Sequence, residues 1–153
     1  MRDSKKRRDY SKIALTKEEA EILLDSQSWC YVASRDSAGN LWNLPVPFVR
    51  KEANIYFLDR EGSIIINNIP FQEEMCVVVD TGYSYNELAG LIMQGWLKIV
   101  DDEQQPVEIY DLLTKKYPQA RRVGISVENF KLLEFTPSHE INKISWHFGK
   151  GRL

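Results

Sequence analysis

Extended runs rich in β-branched and aromatic residues alternate along this chain with turn residues, and a few stretches carry their apolar residues at helical spacing instead. Thr16-Lys17-Glu18-Glu19 forms a capping box, with the Thr16 hydroxyl accepting from the Glu19 amide while Glu19 reaches back. Ala20, Leu23 and Leu24 then share one face, which predicts a helix over 17–27. Extended runs follow at 29–35, 41–50 and 54–59, with Ala38-Gly39-Asn40 supplying the positive-φ positions of a tight hairpin. Residues 62–69 predict a short helix stopped by Pro70. Met75 to Val79 is continuously apolar, the pattern of a strand buried on both faces. Leu88 to Val100 reads as a long strand bent or bulged at Gly90 and Gly95. Asp101 or Asp102 caps a helix over 104–116, with Pro106 in its first turn and Val107, Tyr110, Leu113 and Tyr117 on its buried face. Ile125, Val127, Phe130, Leu132, Leu133 and Phe135 make the last long strand. Six strands with three peripheral helices, without repeats, predict an antiparallel barrel of the mainly β, α+β kind.

At 153 residues the chain suffices for one domain with one core. Twenty basic against twenty-two acidic side chains leave a formal charge of -2, so no overall bias toward nucleic acid or a membrane surface is expected. Arg2, Lys5, Lys6, Arg7 and Arg8 crowd the start, which reads as a flexible basic leader over 1–15 ahead of a domain over 16–153. No apolar stretch follows the cluster as in a signal peptide, and no apolar run reaches the length of a membrane span, so a cytoplasmic protein is expected. Cys30 and Cys76, each in an apolar run, read as two buried thiols in a reducing compartment. His139 and His147 belong to no metal-ligand motif. A Gly-rich phosphate loop, a His-Glu-x-x-His helix, a Cys-x-x-Cys pair and a Gly-x-Ser-x-Gly elbow are all missing. Any chemistry is then a cofactor's, with the protein supplying position and electrostatics.

The order of elements, with Asp36-Ser37-Ala38-Gly39-Asn40, Pro45-Val46-Pro47-Phe48, Gly62-Ser63, Asn68 and Gly95, resembles the pyridoxamine 5′-phosphate oxidase-like family of FMN-binding split barrels over roughly residues 17–148. The resemblance implies a six-stranded antiparallel split β-barrel with peripheral helices. It also implies a homodimer with flavins in clefts to which both subunits contribute. By the same resemblance, Ser63 holds the hydroxyl position on the flavin phosphate at a helix start, with Arg60 in the adjacent turn and Asn68 further along. Asn43, Leu44, Pro45 and Val46 match the strand whose backbone lies along the isoalloxazine ring. Gln94 matches a side chain offered by the partner subunit, and Trp146 a C-terminal aromatic near the cofactor, beside Tyr83 and Tyr85.

In oxidase members, basic side chains occupy the positions that look equivalent to Asn43, Phe48, Ile64 and Ile65. All four are uncharged here, and Asp59 falls where a threonine is usual. The resemblance therefore implies an FMN-dependent oxidoreductase acting on a small-molecule acceptor and not a true pyridoxamine phosphate oxidase, with no side chain singled out as catalytic. The alternatives are a non-enzymatic ligand-binding dimer, or a split barrel using a deazaflavin or haem in the same cleft.

Overall fold

Thr16 caps the first helix as its sequence requires: its hydroxyl accepts the Glu19 N–H at 3.1 Å, and the Glu19 carboxylate accepts the Thr16 N–H at 3.1 Å. The computed structural model describes residues 10–100, 107–121 and 130–152. Its helices are α1 (Lys17–Ser26), α2 (Ile64–Asn68) and α3 (Val107–Lys116). The strands are β1 (Cys30–Arg35), β2 (Leu41–Val46), β3 (Phe48–Lys51), β4 (Asn54–Arg60), β5 (Met75–Thr81), β6 (Ala89–Ile99), β7 (Phe130–Pro137) and β8 (Ser145–His147).

All strand pairs are antiparallel, in the order β2-β1-β5-β6-β7-β4-β3, with β8 added to β6. The two ends of this order, β2 and β3, are consecutive pieces of one extended stretch divided at Pro47. The sheet therefore closes through the chain itself. Counted as one bent strand, 41–51 restores the expected six-stranded barrel, and only the short β8 is additional. Proline has no N–H for a ladder, so the stretch changes neighbours there.

The bend leaves one edge of Phe48 without a neighbouring strand. Tyr117, just beyond α3, fills that gap. Its hydroxyl oxygen accepts the Phe48 N–H at 3.0 Å and lies 2.6 Å from the Ser28 carbonyl and 3.0 Å from that of Phe48. Lys116 adds its ammonium 3.8 Å from the Phe48 ring centroid and donates to the Leu24 carbonyl at the end of α1. Burial pushes the Lys116 pKa down to about 8, against the pull of Asp25.

Inside the barrel, Phe48, Phe57, Phe135, Leu91, Met93 and Leu133 are fully buried, each worth about 1.5–3 kcal/mol of apolar transfer. A second cluster forms where Ile109 and Leu113 of α3 cover Val49, Tyr56 and Leu132. Val107, expected on the buried face of α3, is exposed, and Ile109 takes its place.

Other expectations are corrected by packing. In β5, Met75, Val77 and Val79 are buried but Cys76 and Val78 only half so, because among the described residues no helix packs on their face. Cys30 points into the core and Cys76 outward, so the thiols lie on opposite faces. Gly90 and Gly95 produce no break in β6; a side chain at either would run into the Trp146 ring or the Thr136–Pro137 backbone. Pro70 sits inside a 3-10 turn, Ile69–Phe71, that continues α2. Residues 10–15, assigned to the leader, pack on the domain: Leu15 is buried and donates its N–H to Ser145 Oγ at 2.9 Å, while Lys150 reaches Ala14 O and Glu19. The remaining leader and the readings at Asp101, Asp102, Pro106, Ile125 and Val127 lie outside the described residues.

Replacing Tyr117 by phenylalanine removes the hydroxyl while keeping the ring, and strands the Phe48 and Ser28 polar groups. Urea unfolding of Tyr117→Phe is expected to show a loss of about 1–3 kcal/mol at unchanged m value. A loss below about 0.5 kcal/mol would remove the hydroxyl from the closure of the barrel.

Candidate functional site

Strand register decides which side chains share a face, because successive residues of a strand alternate. The pairs Asn43↔Ala33, Ala33↔Cys76 and Cys76↔Gln94 place these four residues in one row across β2, β1, β5 and β6. The neighbouring row is Pro45, Tyr31, Val78 and Ile92. Gly90 pairs Asp80 on one side and Trp146 on the other, so the Trp146 ring lies over this same outward face. The interior rows of these strands form the core, and the outward rows are uncovered. Tyr31 is 39 %, Leu41 73 % and Trp96 50 % exposed on this side, apolar side chains interspersed with Arg35, which pairs Leu41, and Asp80, which pairs Gly90.

The structure thus brings Asn43, Pro45, Gln94 and Trp146 onto one face. Leu44 and Val46 turn inward and offer only backbone. Three strand steps of about 4.8 Å separate Asn43 from Gln94, a span of about 14 Å.

The turn from β4 into α2 holds the next two residues. Ser63 donates its N–H to the Arg60 carbonyl at 3.0 Å, across Gly62 at φ +80°. The Ser63 hydroxyl accepts the Ile66 N–H at 3.1 Å and keeps its own proton free to donate. Arg60 is exposed, its guanidinium carbon 5.8 Å from the Phe130 ring centroid. Asn68 is placed elsewhere: it is buried, donates to Ser34 Oγ at 3.0 Å on the inner face of β1, and accepts from Gln72. Its amide is an internal tie, not a group on the outward face.

The hairpin that carries Asn43 is fixed by one carboxylate. Asp36 accepts from Trp42 Nε1 at 3.0 Å, from the Ala38 and Asn40 N–H groups at 2.9 Å each, and from Asn40 Nδ2 at 3.1 Å. These bonds, that from Trp42 foremost, hold its pKa below the usual carboxylate range.

Sequence reading missed Ala33 and Cys76 at the centre of the row, because register is a long-range property. It also missed His139, which accepts the Gln94 N–H. Among the described residues no cluster of three or more metal-ligating side chains occurs, and no helix is long and apolar enough to cross a membrane.

An antiparallel barrel closed by a bent strand, with helices at its periphery and an uncovered face on β2-β1-β5-β6, is the geometry against which solved structures can be matched. The conserved hypothetical protein Rv2991 of Mycobacterium tuberculosis superposes with a TM-score of 0.79 at 14 % identity, over 96 % of this chain and 94 % of that one. The fold is the pyridoxamine 5′-phosphate oxidase-like split barrel. The haem storage protein HutZ of Vibrio cholerae shares this split barrel, with a TM-score of 0.68 at 12 % identity over 80 % of this chain and 89 % of HutZ. An FAD-binding protein of Mesorhizobium loti shares it as well, with a TM-score of 0.65 at 14 % identity over 86 % and 94 % of the two chains. No protein-family model and no curated protein matches the sequence.

The depressed Asp36 carboxyl carries a pH signature. Its ionised form stabilises the hairpin above the unfolded carboxyl pKa of about 3.9, and that contribution is lost as pH falls through the lower folded value. Asp36→Asn is expected to melt below the wild type at neutral pH, with the two melting temperatures converging below about pH 4. A gap that stays constant down to the acid limit of folding would contradict this.

Proposed function

We propose that this chain is a homodimeric split barrel that holds FMN in clefts between its subunits and acts as an oxidoreductase on a small-molecule acceptor. The observation that carries the reading is the uncovered sheet face. Asn43 and Gln94 stand at opposite ends of one row, and the apolar surface between them, around Tyr31, calls for a partner. A second copy packed on this face about a two-fold axis sets its own Gln94 and Trp146 toward the Asn43 end of the first. Both subunits then complete each site.

The residues fit the cofactor unevenly. Asn43 and Pro45, with the backbone of Leu44 and Val46, present an uncharged wall for a ring system. Ser63 has a hydroxyl proton to donate and Arg60 an exposed guanidinium in the same turn, which suits a phosphate. Phe48 and Ile65 are fully buried, so neither position reaches a phosphate in this chain whatever its charge. Lys150 is engaged by Glu19. Arg60, Lys143 and Arg152 are left to compensate for the phosphate charge, Arg60 being the one in this turn, and pyridoxamine phosphate oxidation itself is not proposed. Bound flavin would supply hydride and electron transfer. The chain's part is to orient the ring, exclude water with Trp146 and the partner's surface, and leave acid–base work to solvent.

A second reading, a haem- or ligand-binding dimer, is favoured by the uncharged helix start at Ile64 and Ile65 and by the likeness of fold to HutZ. The visible spectrum of the freshly purified protein separates these readings: flavin bands are expected. A Soret band would assign haem, and a featureless trace after FMN is added at high micromolar concentration would leave the ligand-binding reading. Arg60→Ala is expected to release flavin on gel filtration; stoichiometric retention would place the phosphate elsewhere.

The dimer has its own test. Tyr31→Arg puts a charge at the centre of the uncovered face and is expected to convert a dimeric mass by light scattering into a monomeric one. A wild-type monomer at micromolar concentration, or a dimer that survives Tyr31→Arg, would count against this face.

A further inference from the structure

The β6–β7 ladder ends at Gly95↔Pro137, so Gln94 is the first residue of β6 beyond the reach of β7. The loop after β7 takes over the ladder. Ser138 donates its N–H at 2.8 Å and its hydroxyl at 2.9 Å to the Gln94 carbonyl. His139 accepts the Gln94 N–H on Nε2 at 3.2 Å, while its Nδ1 lies 2.9 Å from the Glu140 carbonyl oxygen. A backbone N–H only donates and a carbonyl only accepts. The two partners therefore assign the neutral imidazole with its proton on Nδ1.

We propose that His139 is an acid-sensitive positioning residue, clamping Gln94 when neutral and releasing it when protonated. Its functional consequence rests on the cofactor site proposed above. A second proton must go to Nε2, the atom that accepts from Gln94. Two N–H groups then face each other, the bond is lost, and the ring swings away. Gln94 keeps its ties to Ser138 but loses the constraint on its N–H, and with it the fixed placement of the side chain at the end of the Asn43 row.

The surroundings receive the released cation. His139 lines an open groove of about 840 Å³ that also carries Lys17 and Glu21 of α1, Arg50 of β3, Glu52 of the β3–β4 turn, and Glu140. Arg50 is held by Asp25 at 2.7 Å, which leaves Glu21, Glu52 and Glu140 against Lys17. Along the other side of Gln94, Arg35 and Glu74 line a smaller cavity with Cys76. The groove thus offers carboxylates to an imidazolium turned out of the clamp.

The clamp is read without any cofactor by amide NMR of the full chain between about pH 8 and about pH 5. The Gln94 amide is expected to move with the same midpoint as the His139 ring. In His139→Gln, whose amide oxygen accepts without titrating, the Gln94 signal should stay flat. With FMN as the probe, affinity is expected to fall about fivefold over this range in the wild type and less than about twofold in His139→Gln. A Gln94 amide indifferent to His139 titration, or a His139→Gln protein that responds to pH as the wild type does, overturns the proposal. A wild type that binds no FMN at any pH overturns the cofactor reading instead, and the amide titration still decides the clamp.

Discussion

One extended stretch serves both ends of the sheet, and the bend at Pro47 is what allows it. Before the bend the chain pairs with β1, and after it with β4. The stretch exchanges one neighbour for the other at Pro47, and the change leaves an open backbone edge at Phe48. The Tyr117 hydroxyl satisfies that edge, and Lys116 caps the Phe48 ring beside it. A neutral hydroxyl that both donates and accepts suits a strand edge, which presents an N–H and a carbonyl together. The apolar interior, with Phe48, Phe57 and Phe135 at its centre, is enclosed only because this corner holds.

Closure at one corner has a consequence at the opposite wall. α3 covers the outer side of β3 and β4, and α1 closes one end of the barrel, but among the described residues no helix packs on the outward rows of β2, β1, β5 and β6. Those rows are apolar or neutral through the middle. A solvent-facing sheet ordinarily alternates buried apolar with exposed charged residues, and this one does not. The uncovered wall and the turn bearing Arg60 and Ser63 both present hydrogen-bonding groups outward. A ring system suits the wall and an anion the turn. Arg60 is the basic side chain of that turn, so positive charge there is scarce.

Local features were legible in the sequence because their physics is local. The Thr16 box and the Gly39 turn follow from neighbours within a few residues. Readings that needed a partner far along the chain went astray. The apolar run Met75–Val79 looked buried on both faces, since sequence does not distinguish a face covered by a helix from one left for another molecule. Gly90 and Gly95 looked like bends, whereas Trp146 and Thr136 approach them from more than forty residues away. Asn68 looked like a ligand group and is instead a buried tie to Ser34. The site row itself, joining positions 33, 43, 76 and 94, depends on three separate registers and has no signature in sequence.

The two ends of that row are fixed by different chemistry. At the Asn43 end, the turn carboxylate of Asp36 gathers four donors, so it holds best when ionised. At the Gln94 end an imidazole accepts a backbone N–H, so it holds only when neutral. The two ends therefore answer to protonation at different atoms, a carboxylate oxygen at one and Nε2 at the other. If each site draws Asn43 from one subunit and Gln94 from the other, acid loosens the partner's contribution while the barrel and its wall persist. The group that positions Gln94 lies in a loop outside the core whose burial holds the barrel together, so loss of its bond leaves that core in place.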